Sequence, residues 1–463
     1  MIIMKFGGTS VEDARAMENV IGIVAKEQRR KPIVVLSAIA GATNTLLTSA
    51  HIALDGDLEN AHAELNRLLE RHVTLLENLI KSRSEIQHLI LTIRKRFDEL
   101  KTLCQGIAIL GELTNRSLDA IASVGEQLST MILTRALTER GFAAEMVDAR
   151  TFMITNDQFA AAAPDFVLIS QEARARILPP LQAGKIVVTQ GYIGSTRKGI
   201  TTTLGRGGSD YSAAIIGAAL DAEEIQIWTD VDGVLTADPR IAPAAMKLKV
   251  ISFREASELA YFGAKVLHPS TILPAVEKNI PVIVLNSKRP QSTGTRIVGH
   301  PPKSSAAVKS IASKKGITVI NIQSSRMLMA YGFLSAIFSV FQKHKTAVDL
   351  VSTSEVAVSL TIDNTSNLEQ IVSELQEFAE VSVFDQKAIV CVVGEQMRST
   401  VGIVDRVFGA LHDVNVIMIS QGASEINMSL VVDEDVVTQA VQQLHREFFE
   451  PIPELDLFEQ VDA

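Results

Sequence analysis

The stretch MKFGGTS, residues 4–10, ends a short apolar run and decides how the N-terminal part of the chain folds. The run MIIMKF predicts a buried β-strand, and two glycines and two hydroxyl residues follow it directly. Ligands of parallel α/β sheets bind beyond the carboxyl ends of the strands, where glycines let backbone N–H groups approach an anion. The stretch therefore predicts an anion site at Lys5, Gly7 and Gly8, although a simple tight turn would need the same glycines.

The chain continues with strands that alternate with helical patterns. PIVVLSA (32–38) predicts a second strand, and KIVVTQGYIG (185–194) and EIQIWTDVDGV (224–234) predict further ones. Between them, residues 57–140 show a strong 3.6-residue apolar period that predicts helical cover. This alternation is typical of an α/β fold with a mainly parallel central sheet and helices on both faces.

Composition limits the class of protein. The 463 residues argue for more than one domain, and a net charge of −9 argues against a nucleic-acid binder. Cys104 and Cys391 stand far apart, which predicts neither a disulfide framework nor a zinc site. We find no signal-peptide pattern and no apolar run long enough to span a membrane, so we expect a cytoplasmic protein without a membrane partner.

Two more glycine-rich stretches carry charged residues. TTTLGRGGSDYSAA (201–214) contains Arg206 and Asp210, and this mixture of signs suits a zwitterion such as an amino acid, or else a surface salt bridge. WTDVDGVLTADPR (228–240) places carboxylates after a strand, as a nucleotide ribose or a metal–phosphate group would need, or as an ordinary Asp-Gly turn would. Together the three stretches fit phosphoryl transfer, which needs positioning and charge neutralisation rather than a covalent nucleophile.

The C-terminal part contains an internal repeat. Residues 332–363 and 401–433 match each other at an offset of about 70 residues, and each copy predicts strand, helix, strand, strand, with a further helix after it. This pattern is typical of a βαββαβ unit made twice. The segment 288–304 is rich in Pro, Gly and basic residues, and its later part predicts a linker.

The motifs KFGGTSV, VVLSAIAGATN, GEQLST, TTTLGRGGSDYSA, WTDVDGVLTADPR and FGAKVLHP resemble those of the aspartokinases, which are members of the amino-acid kinase family. The C-terminal repeat resembles the paired ACT domains that serve these enzymes as amino-acid sensors. The resemblance runs from residue 1 to about 450 and is closest to the monofunctional, lysine-sensitive type. It implies an amino-acid kinase domain at 1–295, a linker at 296–304, a first ACT domain at 322–385, a second ACT domain built from 305–321 and 386–450, and a tail at 451–463.

The resemblance implies transfer of the γ-phosphate of MgATP to the β-carboxylate of L-aspartate, which gives 4-phospho-L-aspartate for lysine, threonine and methionine synthesis. It assigns catalytic roles to Lys5, Gly7, Gly8 and Asp210, and aspartate binding to Ser37, Thr43, Glu126 and Arg206. The nucleotide side would contain Thr229, Asp230, Leu235, Arg240 and Lys265. Leu235 departs from the tyrosine that relatives often have. ATP phosphates and water would hold most of the Mg²⁺, so no protein metal ligand is named.

The same resemblance implies feedback inhibition through the ACT domains, by lysine or alternatively by threonine. The effector positions are Met327, Gly332, Phe333, Leu334, Val348, Asp349, Ser354 and Glu355, where the two acids would suit a lysine ammonium. Ala330 departs from the serine that relatives often have. ACT units usually pair across subunits, so we expect a homodimer or a tetramer.

Two alternatives compete with this interpretation. Another family member, such as acetylglutamate kinase or glutamate 5-kinase, would share the catalytic fold, but the paired ACT repeat and KFGGTS argue against both. A catalytically inactive amino-acid sensor is the second alternative. The presence of Lys5, Arg206, Asp230 and Lys265 argues against that function.

Overall fold

A computed structural model describes residues 1–263, 269–302, 306–324, 331–450 and 457–459 of the chain. These residues divide into two compact units. The first unit contains the described residues of 1–233, 250–253 and 266–301, and the second contains those of 234–249, 254–265 and 302–463. Two segments that precede the predicted linker, 234–249 and 254–265, therefore belong to the same unit as the C-terminal repeat.

The described residues of the two units form the following strands and helices, which alternate closely along the first unit. The strands are β1 (Ile2–Phe6), β2 (Pro32–Leu36), β3 (Ala144–Met146), β4 (Ile154–Thr155), β5 (Ile186–Gln190), β6 (Ile193–Thr196), β7 (Thr201–Thr203), β8 (Glu224–Thr229), β9 (Lys247–Leu248), β10 (Val250–Ser252), β11 (Val282–Asn286), β12 (Thr295–Val298), β13 (Ser310–Gln323), β14 (Val351–Thr353), β15 (Ala357–Ile362), β16 (Glu380–Val393), β17 (Met418–Gln421), β18 (Asn427–Asp433) and β19 (Phe458–Glu459). The helices are α1 (Ala14–Lys26), α2 (Ala42–Leu54), α3 (Leu58–Leu79), α4 (Arg83–Leu110), α5 (Asn115–Ala122), α6 (Val124–Glu139), α7 (Phe166–Gln182), α8 (Gly208–Leu220), α9 (Phe253–Tyr261), α10 (Leu273–Glu277), α11 (Phe333–Lys343), α12 (Leu368–Gln376), α13 (Ile403–Ala410) and α14 (Val437–Phe449).

The first unit is built on an eight-stranded sheet with the order β10-β12-β11-β8-β1-β2-β5-β3. Pairing is parallel except between β11 and β12, which run antiparallel. Strand β1 lies inside the sheet, with parallel partners β8 and β2 on its two sides. The predicted α/β fold with a mainly parallel sheet is confirmed.

Alternation along β1 sends its side chains to two different faces. Ile2, Met4 and Phe6 belong to the core that the sheet shares with helices α1 to α6. Ile3 and Lys5 therefore point to the opposite face, where α8 lies. This helix approaches closely through Gly217, because a Cβ on Gly217 would lie 2.7 Å from the Ile225 side chain.

The helical cover predicted over 57–140 consists of α3, α4, α5 and α6. Asp57 caps α3 by accepting a hydrogen bond from Asn60 N at 3.1 Å, and Thr114 caps α5 in the same way from Ser117 N. Helix α4 ends at Leu110, and the next residue, Gly111, has a φ of 62°, a left-handed conformation that glycine tolerates well. The apolar stripes of these helices are buried in the core that they share with the sheet and with helices α1 and α2, as their periodicity predicts.

The second unit contains a six-stranded sheet with the order β14-β15-β13-β16-β18-β17. Its two central strands, β13 and β16, are each 14 residues long and cross both halves of the sheet. Residues 310–314 of β13 pair with 389–393 of β16. Further along β13, residues 318–323 pair with β15, while Ile317 and residues 319–323 pair with Lys387 and residues 380–384 of β16. Two four-stranded halves thus share their central strands, and helices α11 and α12 accompany one half.

The halves divide at the register shift between Lys314 and Ile317, where Gly316 has a φ of 72°. The expectation that 305–321 as a whole completes the second ACT domain therefore differs from the structure, because the later part of this segment pairs with β15. The predicted start of the linker also differs, since Thr295–Val298 forms strand β12. Among the described residues, no helix combines the length and the apolar character that a membrane span requires.

Helix α6 packs so closely on the loop after β2 that Gly125 has no room for a side chain. A Cβ there would lie 2.7 Å from the Ala38 Cβ, and neither atom belongs to a flexible side chain that could move away. We expect Gly125→Ala to lower the free energy of unfolding by about 1–3 kcal/mol, because overpacking forces the backbone to shift. Denaturant titration followed by circular dichroism measures this loss.

Gly22→Ala is the matched control, because Gly22 lies within α1 and a Cβ there would meet nothing within 4 Å. The free energy of unfolding of this variant should rise by up to about 1 kcal/mol, because alanine has a better helix propensity than glycine. Equal stability of the two variants would contradict the close packing at Gly125.

Candidate active site

Lys5 lies at the carboxyl end of the central strand and faces the first turn of α8. Its Nζ lies 2.7 Å from Asp210 Oδ1, and the two side chains are only 10% and 17% exposed. Helix α8 begins at Gly208 after Gly207, whose φ of 71° turns the chain into the helix. The strand end and the helix start thus place a nearly buried cation beside its counter-charge and near the positive end of a helix dipole.

Close backbone approach explains the glycines after Lys5. A Cβ on Gly8 would lie 3.0 Å from the Ala38 carbonyl oxygen, and Ala40 N donates a hydrogen bond to the Gly8 oxygen at 3.1 Å. Gly7 N donates to the Trp228 oxygen at 3.0 Å. The structure therefore differs from the expectation for Gly7, because its N–H is already used to hold β1 against the end of β8.

A cleft of about 510 Å³ opens at this edge of the sheet. Its walls come from the loops after β1, β2 and β5, from α6 and from the start of α8. The cleft brings together seven of the residues that the sequence singles out as catalytic or aspartate-binding. These are Lys5, Gly8, Ser37, Thr43, Glu126, Arg206 and Asp210.

Glu126 is the buried acid of the cleft, with 3% of its surface exposed. Its Oε1 accepts a hydrogen bond from Ala38 N at 3.2 Å, while Oε2 is buried and has no hydrogen-bond partner among the described residues. Burial raises the pKa of Glu126 to about 8, against the smaller lowering effect of the Ala38 N–H. The free oxygen can therefore accept a cationic donor, which would also favour the ionised carboxylate.

The cleft thus holds two cations and two acids. Arg206 lines it with an exposed guanidinium, in contrast to the paired and nearly buried Lys5. Arginine in this position can receive a carboxylate through two parallel hydrogen bonds. A ligand that carries both an ammonium and a carboxylate matches the charges of the cleft.

Sequence reasoning did not single out Asn44, Ala160, Tyr192 and Ser209, which also line the cleft. Ser209 and Asn44 stand within quoted motifs, so their neighbours were a usable signal. Tyr192 follows the end of β5 in the GYIG stretch, yet nothing in that pattern indicates that it takes a φ of 67°. Ala160 lies in a loop far along the chain, and only the tertiary structure places it in the wall.

The predicted nucleotide residues that the structure describes are divided between the two units. Thr229 and Asp230 follow β8 in the first unit, where Thr229 Oγ1 donates to Asp230 Oδ1 at 3.2 Å. Leu235 and Arg240 belong to the second unit. Arg240 is exposed and forms an ion pair with Asp238 at 2.6 Å. Lys265 lies outside the described residues.

The predicted effector residues that the structure describes all belong to the second unit. The side chain of Asp349 is 3% exposed there and already has partners: Tyr261 Oη donates to its Oδ1 at 2.7 Å, and Lys314 Nζ lies 3.2 Å away. Ser354 Oγ accepts a hydrogen bond from Ala357 N at 3.2 Å. An internal ammonium thus occupies the acid expected to receive an effector ammonium. The other described positions are Gly332, Phe333, Leu334, Val348 and Glu355, whereas Met327 and the departure at Ala330 lie outside the described residues.

The mainly parallel sheet carries a paired lysine at the end of a central strand, beside glycine loops and a cleft of mixed charge. This combination is typical of a phosphotransferase that acts on a small amino acid. Comparison with known families agrees with this class. Residues 1–286 match the amino acid kinase family, and residues 390–448 match the ACT domain family.

The lysine-sensitive aspartokinase 3 of Escherichia coli is 38% identical over 97% of this chain and 99% of its own length. The crystal structure of E. coli aspartokinase III with aspartate and ADP (R-state) matches with a TM-score of 0.82 and 38% identity, over 97% of this chain and 100% of that one. The E. coli enzyme with lysine and aspartate (T-state) matches with a TM-score of 0.82 and 37% identity, over 97% and 99%. This chain belongs to the aspartokinases, and it is an aspartate kinase.

The raised pKa of Glu126 leads to a pH prediction. Below a pH of about 8 the buried carboxyl group is mostly protonated, and above it the carboxylate can attract a substrate ammonium. We expect kcat/KM for aspartate to rise as the pH increases through about 8, because this ratio reports ionisations of the free enzyme. Initial rates at subsaturating aspartate from pH 6 to 9 measure the profile.

Glu126→Gln should remove this rise and lower kcat/KM by roughly ten- to a hundredfold, as expected for a lost hydrogen bond to a charged group. Asp165→Asn is the control, because Asp165 caps α7 and pairs with Arg197 without lining the cleft. A rise that persists in Glu126→Gln would assign the ionisation to another group.

Proposed function

We propose that this aspartate kinase transfers the γ-phosphate of MgATP to the β-carboxylate of L-aspartate and forms 4-phospho-L-aspartate. The reaction would be the first step of lysine, threonine and methionine biosynthesis. One observation carries the proposal: a cleft at the carboxyl edge of the sheet contains the Lys5–Asp210 pair together with Glu126 and Arg206. The similarity to an E. coli enzyme crystallised with aspartate and ADP supports it.

The charges of the cleft suggest how L-aspartate binds. Arg206 receives the α-carboxylate through its guanidinium, and the unpartnered Oε2 of Glu126 receives the α-ammonium. Ser37 and Thr43 line the same wall and complete the pocket with small polar groups. With both backbone groups of the amino acid held, the side-chain carboxylate is directed toward Lys5.

Lys5 carries the chemical step in this proposal. Its ammonium neutralises the charge that develops on the transferring phosphoryl group, and such preorganised charges act without reorganisation at the moment of reaction. Asp210 holds the lysine at 2.7 Å, which fixes its position before substrates bind. Gly8 keeps the loop after β2 close to the strand end, so that both substrates meet over the same edge.

ATP would supply the phosphoryl group, and Mg²⁺ would enter with its phosphates. Thr229, Asp230, Leu235, Arg240 and Lys265 remain predictions for the nucleotide side. The paired lysine and the N-terminus of α8 are groups that suit a polyphosphate. No step of the proposal depends on a protein ligand for the metal.

We further propose that the second unit senses lysine and inhibits the enzyme, with threonine as the alternative effector. Support comes from the similarity to an E. coli enzyme crystallised with lysine and aspartate. Exposed apolar side chains on α11 and α13, including Leu334, Phe338 and Val404, suit pairing between two copies of the chain. Such a homodimer or tetramer would let the effector shift a quaternary equilibrium in a cytoplasmic enzyme.

Lys5→Ala tests the proposed chemistry. Removal of one charge that stabilises a transition state costs about 10²–10³ in kcat, so we expect a loss of at least this size. ATP- and Mg²⁺-dependent aspartyl hydroxamate formation measures the rate. Activity within about tenfold of the wild type would contradict the role of Lys5.

Lys185→Ala is the matched control, because Lys185 precedes β5 at the opposite edge of the sheet and pairs with Glu145 at 2.7 Å. It should keep wild-type activity. The same assay with glutamate and N-acetylglutamate separates aspartate kinase from related kinases. Binding of lysine or threonine without any turnover by the wild type would instead support the inactive sensor.

Asp349→Ala tests the effector proposal. We expect the variant to need at least about tenfold more lysine for half-inhibition, because a charged hydrogen bond is lost, while turnover without lysine changes little. Asp363→Ala is the matched control, since Asp363 contacts the same Lys314 at 2.8 Å and leaves Asp349 in place. Unchanged lysine sensitivity in Asp349→Ala would place the effector site elsewhere. Inhibition of the wild type by threonine and not by lysine would identify threonine as the effector.

A further inference from the structure

Asp119 is a buried acid that does not line the cleft. It lies on α5 and is 2% exposed. Its carboxylate accepts hydrogen bonds from Thr203 N at 2.9 Å, from Thr203 Oγ1 at 2.7 Å and from Ala160 N at 3.1 Å to each oxygen. All these donors are neutral groups, and they belong to two segments that are distant in sequence from each other and from Asp119.

The first of these segments leads directly to Arg206. Thr203 ends β7, and the loop that follows contains Gly205 and Gly207, with φ of 77° and 71°. Glycines let this loop turn sharply, but they also give it conformational freedom that must be restricted from outside. The Asp119 carboxylate fixes the base of the loop three residues before the cleft arginine.

The second segment forms the facing wall of the cleft. Ala160 lines the cleft and has a φ of 70°, which is unfavourable for a residue with a side chain. A Cβ on Gly205 would lie 3.2 Å from the Ala160 oxygen, so the two loops are in contact. Ala162 N also donates to the Thr203 oxygen at 2.9 Å. Asp119 therefore holds both loops from behind.

Tyr192 is a third part of the cleft wall, and it also lies next to the segment that contains Thr203. Leu204 N, next to Thr203, donates a hydrogen bond to the Tyr192 oxygen at 2.9 Å, and Tyr192 also has a positive φ of 67°. A Cβ on Gly208 would lie 2.7 Å from the Tyr192 ring, so the ring lies against the start of α8. Two residues with a positive φ, Ala160 and Tyr192, thus lie beside the start of the arginine loop at residues 203–204. Such strain persists only where the surrounding structure fixes it, and it is concentrated at functional sites.

We propose that Asp119 is a positioning residue of the amino-acid subsite, which acts through Thr203 and Ala160 to set Arg206 and Tyr192 around the substrate. It does not touch the substrate itself. This inference rests on the proposed function, because it takes Arg206 as the group that receives the aspartate α-carboxylate. An apolar residue could fill the same space for folding alone, whereas only an acceptor for several donors can hold both loops.

Two adjacent residues of β7 allow a matched test. Thr203→Val removes the hydroxyl bond to Asp119 and keeps the backbone bond, which makes it milder than a change at Asp119. Thr202→Val removes a bond of the same kind, the 2.7 Å contact between Thr202 and Thr155, which is also buried. Both variants keep the shape of the side chain, and neither residue lines the cleft.

We expect Thr203→Val to raise KM for aspartate about tenfold, because a buried acceptor loses a donor, with KM for ATP nearly unchanged. Thr203→Ser should restore the wild-type KM for aspartate, and Thr202→Val should leave it unchanged. A similar rise in both valine variants, or no rise in Thr203→Val, would overturn the inference. An equal rise of KM for aspartate and of KM for ATP in Thr203→Val would also overturn the inference.

Amide hydrogen exchange provides a second readout that needs no turnover. Peptides that cover 157–163 and 204–208 should exchange about tenfold faster in Thr203→Val than in Thr202→Val, since local opening becomes easier by the same lost bond. Unchanged exchange would overturn the positioning role even in an enzyme that does not act on aspartate. Turnover of aspartate by the wild type tests the proposed function separately.

Discussion

The ion pair between Lys5 and Asp210 is the interaction on which the rest of the site depends. A lysine at the end of a central strand is nearly buried on all sides, and a buried ammonium is costly unless a partner compensates it. The chain satisfies this need by starting α8 opposite the strand end. That arrangement requires glycines before the helix and small residues along its buried side, so the charge requirement extends into the packing of the unit.

Close approach is the second constraint at this edge. The loops after β1 and β2 meet with almost no space between Gly8 and Ala38, and α6 adds Gly125 from the other side. Because these contacts leave no freedom, Ser37, Glu126 and the strand-end lysine keep fixed relative positions. A fixed arrangement of charges suits a reaction in which the protein positions substrates and neutralises charge.

In the second unit, the two halves of the sheet are joined through shared strands. β13 and β16 each cross the whole sheet, so two four-stranded halves have no separate inner edges. Lys314 stands at the register shift between the halves and contacts both Asp349 and Asp363. A ligand that competes for Asp349 would therefore act next to the point where the two halves join.

The sequence alone determined the class of fold, the strand-end site and most of the cleft, because glycine motifs and apolar periodicity are local signals. The resemblance of its motifs assigned Lys5, Glu126, Arg206 and Asp210 to catalytic and aspartate-binding positions, and the structure brings these four residues into one cleft. Only the tertiary structure decided that the Gly7 N–H donates to the Trp228 oxygen. It also decided that the pairing of β13 changes at Gly316 and that Asp119 holds two loops that are distant in sequence. These features depend on contacts between segments far apart in the chain, and no local pattern records which partner a donor or a strand will meet.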